Sequence, residues 1–171
     1  MQTHLVVTIV GPDRTGLVES LARLVAEHDG NWLESRMCRL GGEFAGILRV
    51  QLPTTRRDAL EKALAAIANL KIVVQSDDAS VSDAPPAFAT LEVIGPDRPG
   101  IVREVTHALA KLGVNLEELT TECSSAPMSG EPLFQARAKL LLPPGVTVST
   151  LKHSLAPAAG EMGLEFSLST I

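Results

Sequence analysis

The chain contains few aromatic residues and few cysteines. Among its 171 residues there are one Trp, four Phe and no Tyr, although 45% of the chain is hydrophobic. A core must therefore be built mainly from Val, Leu, Ile and Ala, and the exposed rings on which single-stranded RNA stacks are missing. Cys38 and Cys123 are too few and too far apart for a disulfide framework or a zinc site.

Basic residues are not in excess either. The formal net charge is −5, and the basic pair Arg56-Arg57 is followed at once by Asp58 and Glu61. A protein that binds DNA directly normally presents a basic face, because neutralising phosphates supplies much of the affinity. The sequence predicts no nucleic-acid binding, and we interpret Arg56-Arg57 as a solvated helix end.

The first residues, Met-Gln-Thr-His, show neither a basic start nor a long apolar run. A signal peptide needs both features, and a membrane-spanning helix needs about 20 apolar residues. We therefore expect a cytoplasmic protein that has no contact with a membrane.

No motif for catalysis, metal or cofactor is found. The four histidines do not follow metal-ligand spacing, the serines lack a nucleophile-elbow context, and residues 11–16 lack the Lys-Ser/Thr of a phosphate-binding loop. Cys38 has no base beside it in the sequence, so we expect a buried strand cysteine and not a nucleophile. The sequence predicts a protein that is not an enzyme and that has no cofactor.

What the chain does contain is an internal repeat. Residues 11–16, Gly-Pro-Asp-Arg-Thr-Gly, recur as residues 95–100, Gly-Pro-Asp-Arg-Pro-Gly. In the same register Leu17-Val18 corresponds to Ile101-Val102, and Asn31 to Asn115. The two halves are interpreted as copies of one unit.

Each half shows the element order βαββαβ. Strands are indicated by β-branched or alternating runs and helices by apolar residues three or four positions apart. In the first half the predicted strands span 4–10, 32–40, 43–52 and 71–76, with helices near 17–25 and 60–67. In the second half the predicted strands span 88–94, 115–122, 133–142 and 164–169, with helices over 100–112 and 148–159. Gly41-Gly42 is typical of a hairpin turn, whereas residues 124–130 lengthen the second hairpin.

This order predicts the α+β class, with two ferredoxin-like modules, each an antiparallel four-stranded sheet carrying both helices on one face. We expect the first module over 1–77, a linker over the acidic, small and Pro-terminated residues 78–86, and the second module over 87–171. A module of this size is marginal alone, so the repeat predicts an intimately packed pair.

The loop that follows the first strand of each half has suitable chemistry for an amino acid. The start of a helix presents unsatisfied N–H groups and a partial positive charge, which favour a carboxylate. Asp13 or Asp97 would accept an ammonium group, and Gly16 and Gly100 would let a ligand approach the backbone. The same residues would equally well form only a tight turn, with Asp13 or Thr15 capping the helix. The residues alone leave both interpretations open.

The residues 95–102 and 109–116 resemble the signature of ACT domains, which are βαββαβ modules that sense amino acids. Residues 11–18 and 28–32 match that signature almost as well, so the resemblance covers nearly the whole chain. The tandem arrangement is similar to that of the glycine cleavage system transcriptional repressor family.

The resemblance implies a set of ligand-binding residues. In ACT domains ligands lie at interfaces between modules, held by the first strand-to-helix loop and by the Asn that begins the second strand. Carried over, this implicates Asp13, Arg14, Gly16, Leu17 and Asn31 in the first half, and Asp97, Arg98, Gly100, Ile101 and Asn115 in the second. An Asn at such a junction also often satisfies only local backbone groups.

The resemblance also implies a function. It implies a homodimeric regulator that binds a small amino acid, with glycine favoured, and controls transcription through an activator protein and not through DNA. Thr15 in the place of Pro99 and the longer second hairpin suggest that the two sites are not equivalent. The alternative hypothesis is a protein-interaction and oligomerisation module that needs no ligand.

Overall fold

The computed structural model describes residues 1–77, 86–126 and 130–170. The chain divides into two compact units, Met1–Val81 and Ser82–Ile171, here called the first and second modules. Residues 78–85 of the predicted linker lie outside the described residues, so the domain boundaries taken from the sequence stay a prediction. Residues 127–129 of the second hairpin also lie outside them.

The first module contains the six predicted elements in the predicted order. They are β1 (Gln2–Pro12), α1 (Leu17–Glu27), β2 (Asn31–Leu40), β3 (Glu43–Pro53), α2 (Arg57–Ala65) and β4 (Lys71–Ser76), with a 3-10 turn at Thr54–Arg56 before α2. The strands form one sheet in the order β2-β3-β1-β4, with antiparallel neighbours throughout.

The second module repeats this arrangement. Its elements are β5 (Ala87–Pro96), α3 (Ile101–Lys111), β6 (Asn115–Ser125), β7 (Pro132–Leu142), α4 (Val148–Met162) and β8 (Glu165–Thr170). The sheet order is β6-β7-β5-β8, again antiparallel. The α+β class with two ferredoxin-like modules is therefore confirmed.

Each module has its own hydrophobic core between one sheet face and its helices. In the first module, alternate residues of β1 and β3 and one stripe of α1 are buried, including Leu5, Val7, Leu21 and Leu48. The second core is built in the same way and contains Leu91, Leu109 and Leu140. Alternation places the remaining strand residues on the opposite sheet face.

The prediction that Cys38 is buried is wrong, because the side chain is exposed. Strict alternation from Trp32 would point residue 38 toward the core. The pairing of β2 with β3, however, shifts register between Trp32 and Glu34. Such a bulge inserts one residue and reverses which side chains face inward, so that Met37 packs on the core in place of Cys38.

The second hairpin is also shorter than expected. Ser124 and Ser125 are the last residues of β6 and pair with Leu133 and Pro132 of β7. In the first hairpin Gly41 and Gly42 adopt φ of 60° and 87°, which confirms the predicted turn, since such values favour glycine.

Candidate ligand site at the strand-to-helix loops

Each candidate loop is fastened to the neighbouring hairpin by a backbone hydrogen bond. The N–H of Asp13 donates to the carbonyl of Gly42 at 2.9 Å, and the N–H of Asp97 donates to the carbonyl of Pro132 at 3.0 Å. The loop aspartates are therefore held at the end of the sheet where β2 and β6 finish.

The helices that follow these loops begin at a glycine. Gly16 and Gly100 are the N-cap residues of α1 and α3, with φ of 83° and 98°. A Cβ built on either glycine would meet no atom within 4 Å, so the space in front of both helix starts is open. The left-handed φ explains why glycine is used, and the open space allows a ligand to approach.

Neither helix receives a side-chain cap within residues 1–77 and 86–126. The expectation that Asp13 or Thr15 caps α1 is therefore wrong. The N-cap position, from which a side chain reaches the first-turn amides, is occupied by glycine. Those amides have no partner inside the helix. In α1 the N–H of Leu17 donates to the carbonyl of Arg14 at 3.4 Å, whereas the first-turn amides of α3 remain available to an anion.

The two loop aspartates have different partners. In the first module the Nε of Arg39 lies 2.8 Å from a carboxylate oxygen of Asp13, with side-chain exposures of 68% and 31%. In the second module the residue at the position of Arg39 is Cys123, because Arg39 pairs with Phe44 and Cys123 with Phe134. Within the described residues Asp97 therefore has no cation beside it, while Asp13 has one.

The thiol of Cys123 interacts with Asp97. Desolvation, the negative charge of Asp97 and a hydrogen bond to its side chain, in that order, raise the pKa of Cys123 above the ordinary value for cysteine. A neutral thiol is therefore the favoured form, and it leaves the charge of the Asp97 carboxylate uncompensated.

The other loop residues divide into exposed and buried groups. Arg14 and Arg98 are exposed, and in the described part of the chain their side chains form no ion pair or hydrogen bond, so that they are free to reach a carboxylate. Leu17 and Ile101 are 3% and 2% exposed and belong to the cores. These two residues would offer a ligand their backbone and not their side chains.

Asn31 and Asn115 do not lie beside the loop of their own module. Asn31 of β2 pairs with Gln51 of β3, and Gln51 pairs with His4 near the start of β1. The loop follows Pro12, at the opposite end of β1. Eight residue steps separate these levels, which is roughly 26 Å at about 3.3 Å per residue. In the second module Asn115 and Phe88 both pair with Leu141, so Asn115 is equally far from its loop. The side-chain amide of Asn115 donates a hydrogen bond to the carboxylate of Glu117. A free amino acid would reach the loop or the Asn of one module, not both.

The comparison with known families assigns both modules. The ACT domain family matches residues 3–75 and, a second time, residues 89–134. The chain belongs to the ACT-domain family. Both matches include the loop and the helix start described above.

Several relatives resemble this tandem ACT protein over its full length. The glycine cleavage system transcriptional repressor of Escherichia coli is 22% identical over 173 residues, covering 99% of this chain and 91% of the relative. An unknown protein from Galdieria sulphuraria has 32% identity and a TM-score of 0.86, covering 100% of this chain and 99% of that one. A solved structure provisionally described as a glycine cleavage system transcriptional repressor has 20% identity and a TM-score of 0.70, covering 100% and 98%; it shows the shared fold.

Arg39 and Cys123 were not predicted to contact the loop aspartates. These residues come 26 positions after Asp13 and Asp97 in the chain, and only the pairing of β3 with β1 brings them beside the loop. The Gly-Gly turn, which pairs residue 39 with Phe44, was the one local signal for this contact.

The first glycine of each motif, Gly11 or Gly95, lies in a strand and packs closely against the backbone of its module. A Cβ on Gly11 would lie 2.4 Å from the carbonyl oxygen of Asn69, and one on Gly95 would lie 3.0 Å from that of Gly163. The first glycine of each motif is therefore required for packing of the ACT fold, while the second shapes the helix start.

Two kinds of feature are absent from the described residues. Among the described residues, no group of three or more His, Cys, Asp or Glu side chains is placed to hold a metal ion. In the same part of the chain, no helix has both the length and the apolar composition needed to cross a membrane.

Proposed function

We propose that this tandem ACT protein is an amino-acid-responsive regulator, and that the loop of the second module is its stronger binding site. The observation that carries the proposal is the uncapped start of α3 beside Asp97, a carboxylate with no cation partner in the described residues. The full-length similarity to a transcriptional repressor supports the regulatory role.

The loop chemistry is complementary to a free amino acid. The ammonium group of the ligand would pair with Asp97, and its carboxylate would accept hydrogen bonds from the first-turn amides of α3 and from Arg98. The positive φ of Gly100 and the open space in front of it leave room for that approach.

The first loop would bind the same ligand more weakly. An ammonium group must displace Arg39 from Asp13, and an exposed ion pair of this kind contributes about 0.2–1 kcal/mol. Displacement would therefore weaken binding by roughly 1.4- to fivefold and would not abolish it.

We propose that binding of the amino acid changes the affinity of this protein for another protein. The family resemblance implies a transcription activator of the glycine cleavage type as the partner. The similarity to the glycine cleavage system transcriptional repressor of Escherichia coli makes glycine one ligand to test. A regulatory coupling of ~1–3 kcal/mol between the two binding events would be sufficient.

The first experiment is thermal unfolding of the full chain against a panel of free amino acids. A ligand at 100 times its Kd would add about 2.7 kcal/mol of stability, which is readily measured. We expect Asp97→Asn to remove most of the ligand-dependent shift, and the matched variant Asp13→Asn to remove less. A shift that is unchanged in the double variant would exclude the loop aspartates as the site.

The same measurement separates this proposal from a ligand-independent interaction module. A flat panel at millimolar concentrations would contradict amino-acid sensing. Retention of a purified activator of the glycine cleavage type on the immobilised chain, compared with and without the ligand found, then tests the partner. Identical retention under both conditions would contradict regulation by that ligand.

A further inference from the structure

The sheet of the first module exposes an apolar patch on the face opposite its core. Val10, Ile47 and Val73 alternate with the core residues of their strands, and they are 40%, 53% and 55% exposed. Thr8 of β1 pairs with both Ile47 and Val73, and Val10 pairs with Ala45. These five residues therefore form one continuous surface across β3, β1 and β4, here called the outer patch.

The second module has polar side chains at the same sheet positions. The equivalents of Thr8, Ile47 and Val73 are charged or carry a hydroxyl group, and they are Glu92, Arg137 and Ser167. Arg137 is 74% exposed and lies 2.8 Å from the carboxylate of Glu92. Because both sheets have the same fold, the fold itself does not require apolar side chains on this face. The outer patch of the first module therefore indicates a surface for binding another molecule.

The charged side chains beside the outer patch pair with one another. The guanidinium group of Arg36 lies 3.3 Å from the carboxylate of Glu34, and that of Arg49 pairs with the carboxylate of Asp77. A surface whose charges are compensated in this way can approach an identical surface without like-charge repulsion across its middle. Lys71 lies on the edge strand β4, where it would stay in water at the rim of such a contact. This arrangement favours a second copy of the same patch over a highly charged partner.

The size of this sheet face suits a small dimer interface. Strands β1, β2, β3 and β4 have 11, 10, 11 and 6 residues. At about 3.3 Å per residue and about 4.8 Å between strands, the face covers roughly 600 Å². Two such faces would bury about 1,200 Å², which is at the lower end of the range for specific interfaces. We therefore expect a dimer that dissociates on dilution.

We propose that two copies of this chain associate through the outer patch of the first module, with the two sheets packed face to face about a twofold axis. Such an axis brings the same surface of both copies together. The apolar side chains of each patch would leave water and pack between two sheets about 10 Å apart. The contact is independent of the proposed ligand site, because it uses none of the residues assigned to the ligand.

The test is sedimentation equilibrium of the full chain over a series of protein concentrations in the micromolar range. We expect the average mass to rise from that of one chain toward that of two. Ile47→Arg introduces the residue that the second module has at this position, and the buried charge should raise the concentration needed for dimer formation by ~tenfold or more. Val18 of α1 is 45% exposed, so Val18→Arg is the matched control and should leave the mass curve unchanged.

A measurement on the unmodified chain keeps the test decisive if Ile47→Arg disturbs folding. Cys38 is exposed and pairs with Ala45 of the outer patch, so the dimer should cover it. Alkylation of Cys38 by iodoacetamide should therefore slow as the protein concentration rises through the range of dimer formation. Cys123 pairs with the core residue Phe134 and belongs to the other module, so it should react at the same rate throughout.

Three results would overturn the proposed dimer. They are the mass of one chain at every concentration, a dimer as stable in Ile47→Arg as in the unmodified chain, and alkylation of Cys38 at a rate independent of concentration. Lys71→Glu tests the alternative that the outer patch binds an acidic surface, such as the outer sheet face of the second module in another copy. In the proposed dimer Lys71→Glu should weaken association less than Ile47→Arg. A larger effect of Lys71→Glu would assign the patch to the acidic partner instead.

Discussion

The two modules share a backbone plan but differ in how they surround the loop aspartate and where they place apolar volume. Both retain the close-packed glycine of the first strand, the left-handed glycine at the helix start and the hydrogen bond from loop to hairpin. Arg39 of the first module corresponds to Cys123 of the second, and Leu48 of the first corresponds to Ala138 of the second. The shared residues are those that the fold requires, so the differing residues are the better candidates for a difference in binding.

The largest effect on stability is expected when Leu48 in the core of the first module is replaced by alanine, the residue at the equivalent position of the second module. Leu48 is 0% exposed, and Leu48→Ala should lower the free energy of unfolding of the first module by about 2–5 kcal/mol. Ser35→Leu in the same chain should restore part of this loss, since the second module pairs Ala138 with Leu119. Urea denaturation followed by fluorescence of Trp32, the single Trp of the chain, reports on the first module. A loss below 1 kcal/mol would show that the two cores are not organised as described.

The helix-start glycines should respond alike in both modules. Gly16→Ala and Gly100→Ala place a Cβ at φ of 83° and 98°, which costs about 1–2 kcal/mol. Gly160 lies inside α4 with open space around it, so Gly160→Ala is a control that should stabilise the chain by about 0.5–1 kcal/mol. Thermal unfolding of the three variants measures these effects. Equal stability of Gly100→Ala and the unmodified chain would contradict a left-handed helix start in the second module.

Exchanging the partners of the loop aspartates should exchange their binding strengths. Cys123→Arg would give Asp97 a cation and weaken ligand binding about 1.4- to fivefold, because the new ion pair contributes about 0.2–1 kcal/mol. Arg39→Cys should strengthen binding at the first loop by a similar factor. Titration with the amino acid that binds best provides the measurement, and unchanged affinities in both variants would disprove competition for the aspartate.

The smallest effect is expected in the chemistry of Cys123. Asp97 contributes to raising the pKa of this thiol, and only the thiolate reacts with an alkylating agent. Asp97→Asn should therefore lower the pKa and accelerate alkylation by iodoacetamide at pH 8, measured by mass spectrometry in a Cys38→Ser chain. The matched change Asp13→Asn should leave the rate unaltered. Acceleration in both variants would indicate a general loosening of structure.

The sequence predicted the fold well because its signals are local. The signals were the alternation in β3, the Gly41-Gly42 turn and the apolar stripe of α1, and each depends on residues within a few positions of one another. Because the sequence repeats, each element was also predicted from a second stretch of the chain. The exposure of Cys38 was missed because a bulge changes the face of a strand without any glycine or proline to mark it.

The candidate site was less predictable because its contacts are distant in the chain. The loop motif correctly indicated a helix start, but the ion pair of Asp13 with Arg39 depends on the pairing of three strands. The grouping of Asn31 with the loop came from the family resemblance, and the sheet register separates these residues by most of the strand length.

The presence of a separate core in each module has an evolutionary consequence. The side chains that stabilise one sheet are not those that stabilise the other. A substitution in the core of one module therefore leaves the side chains of the other core in place. A tandem built in this way can keep one copy as a conserved scaffold while the second acquires a new specificity.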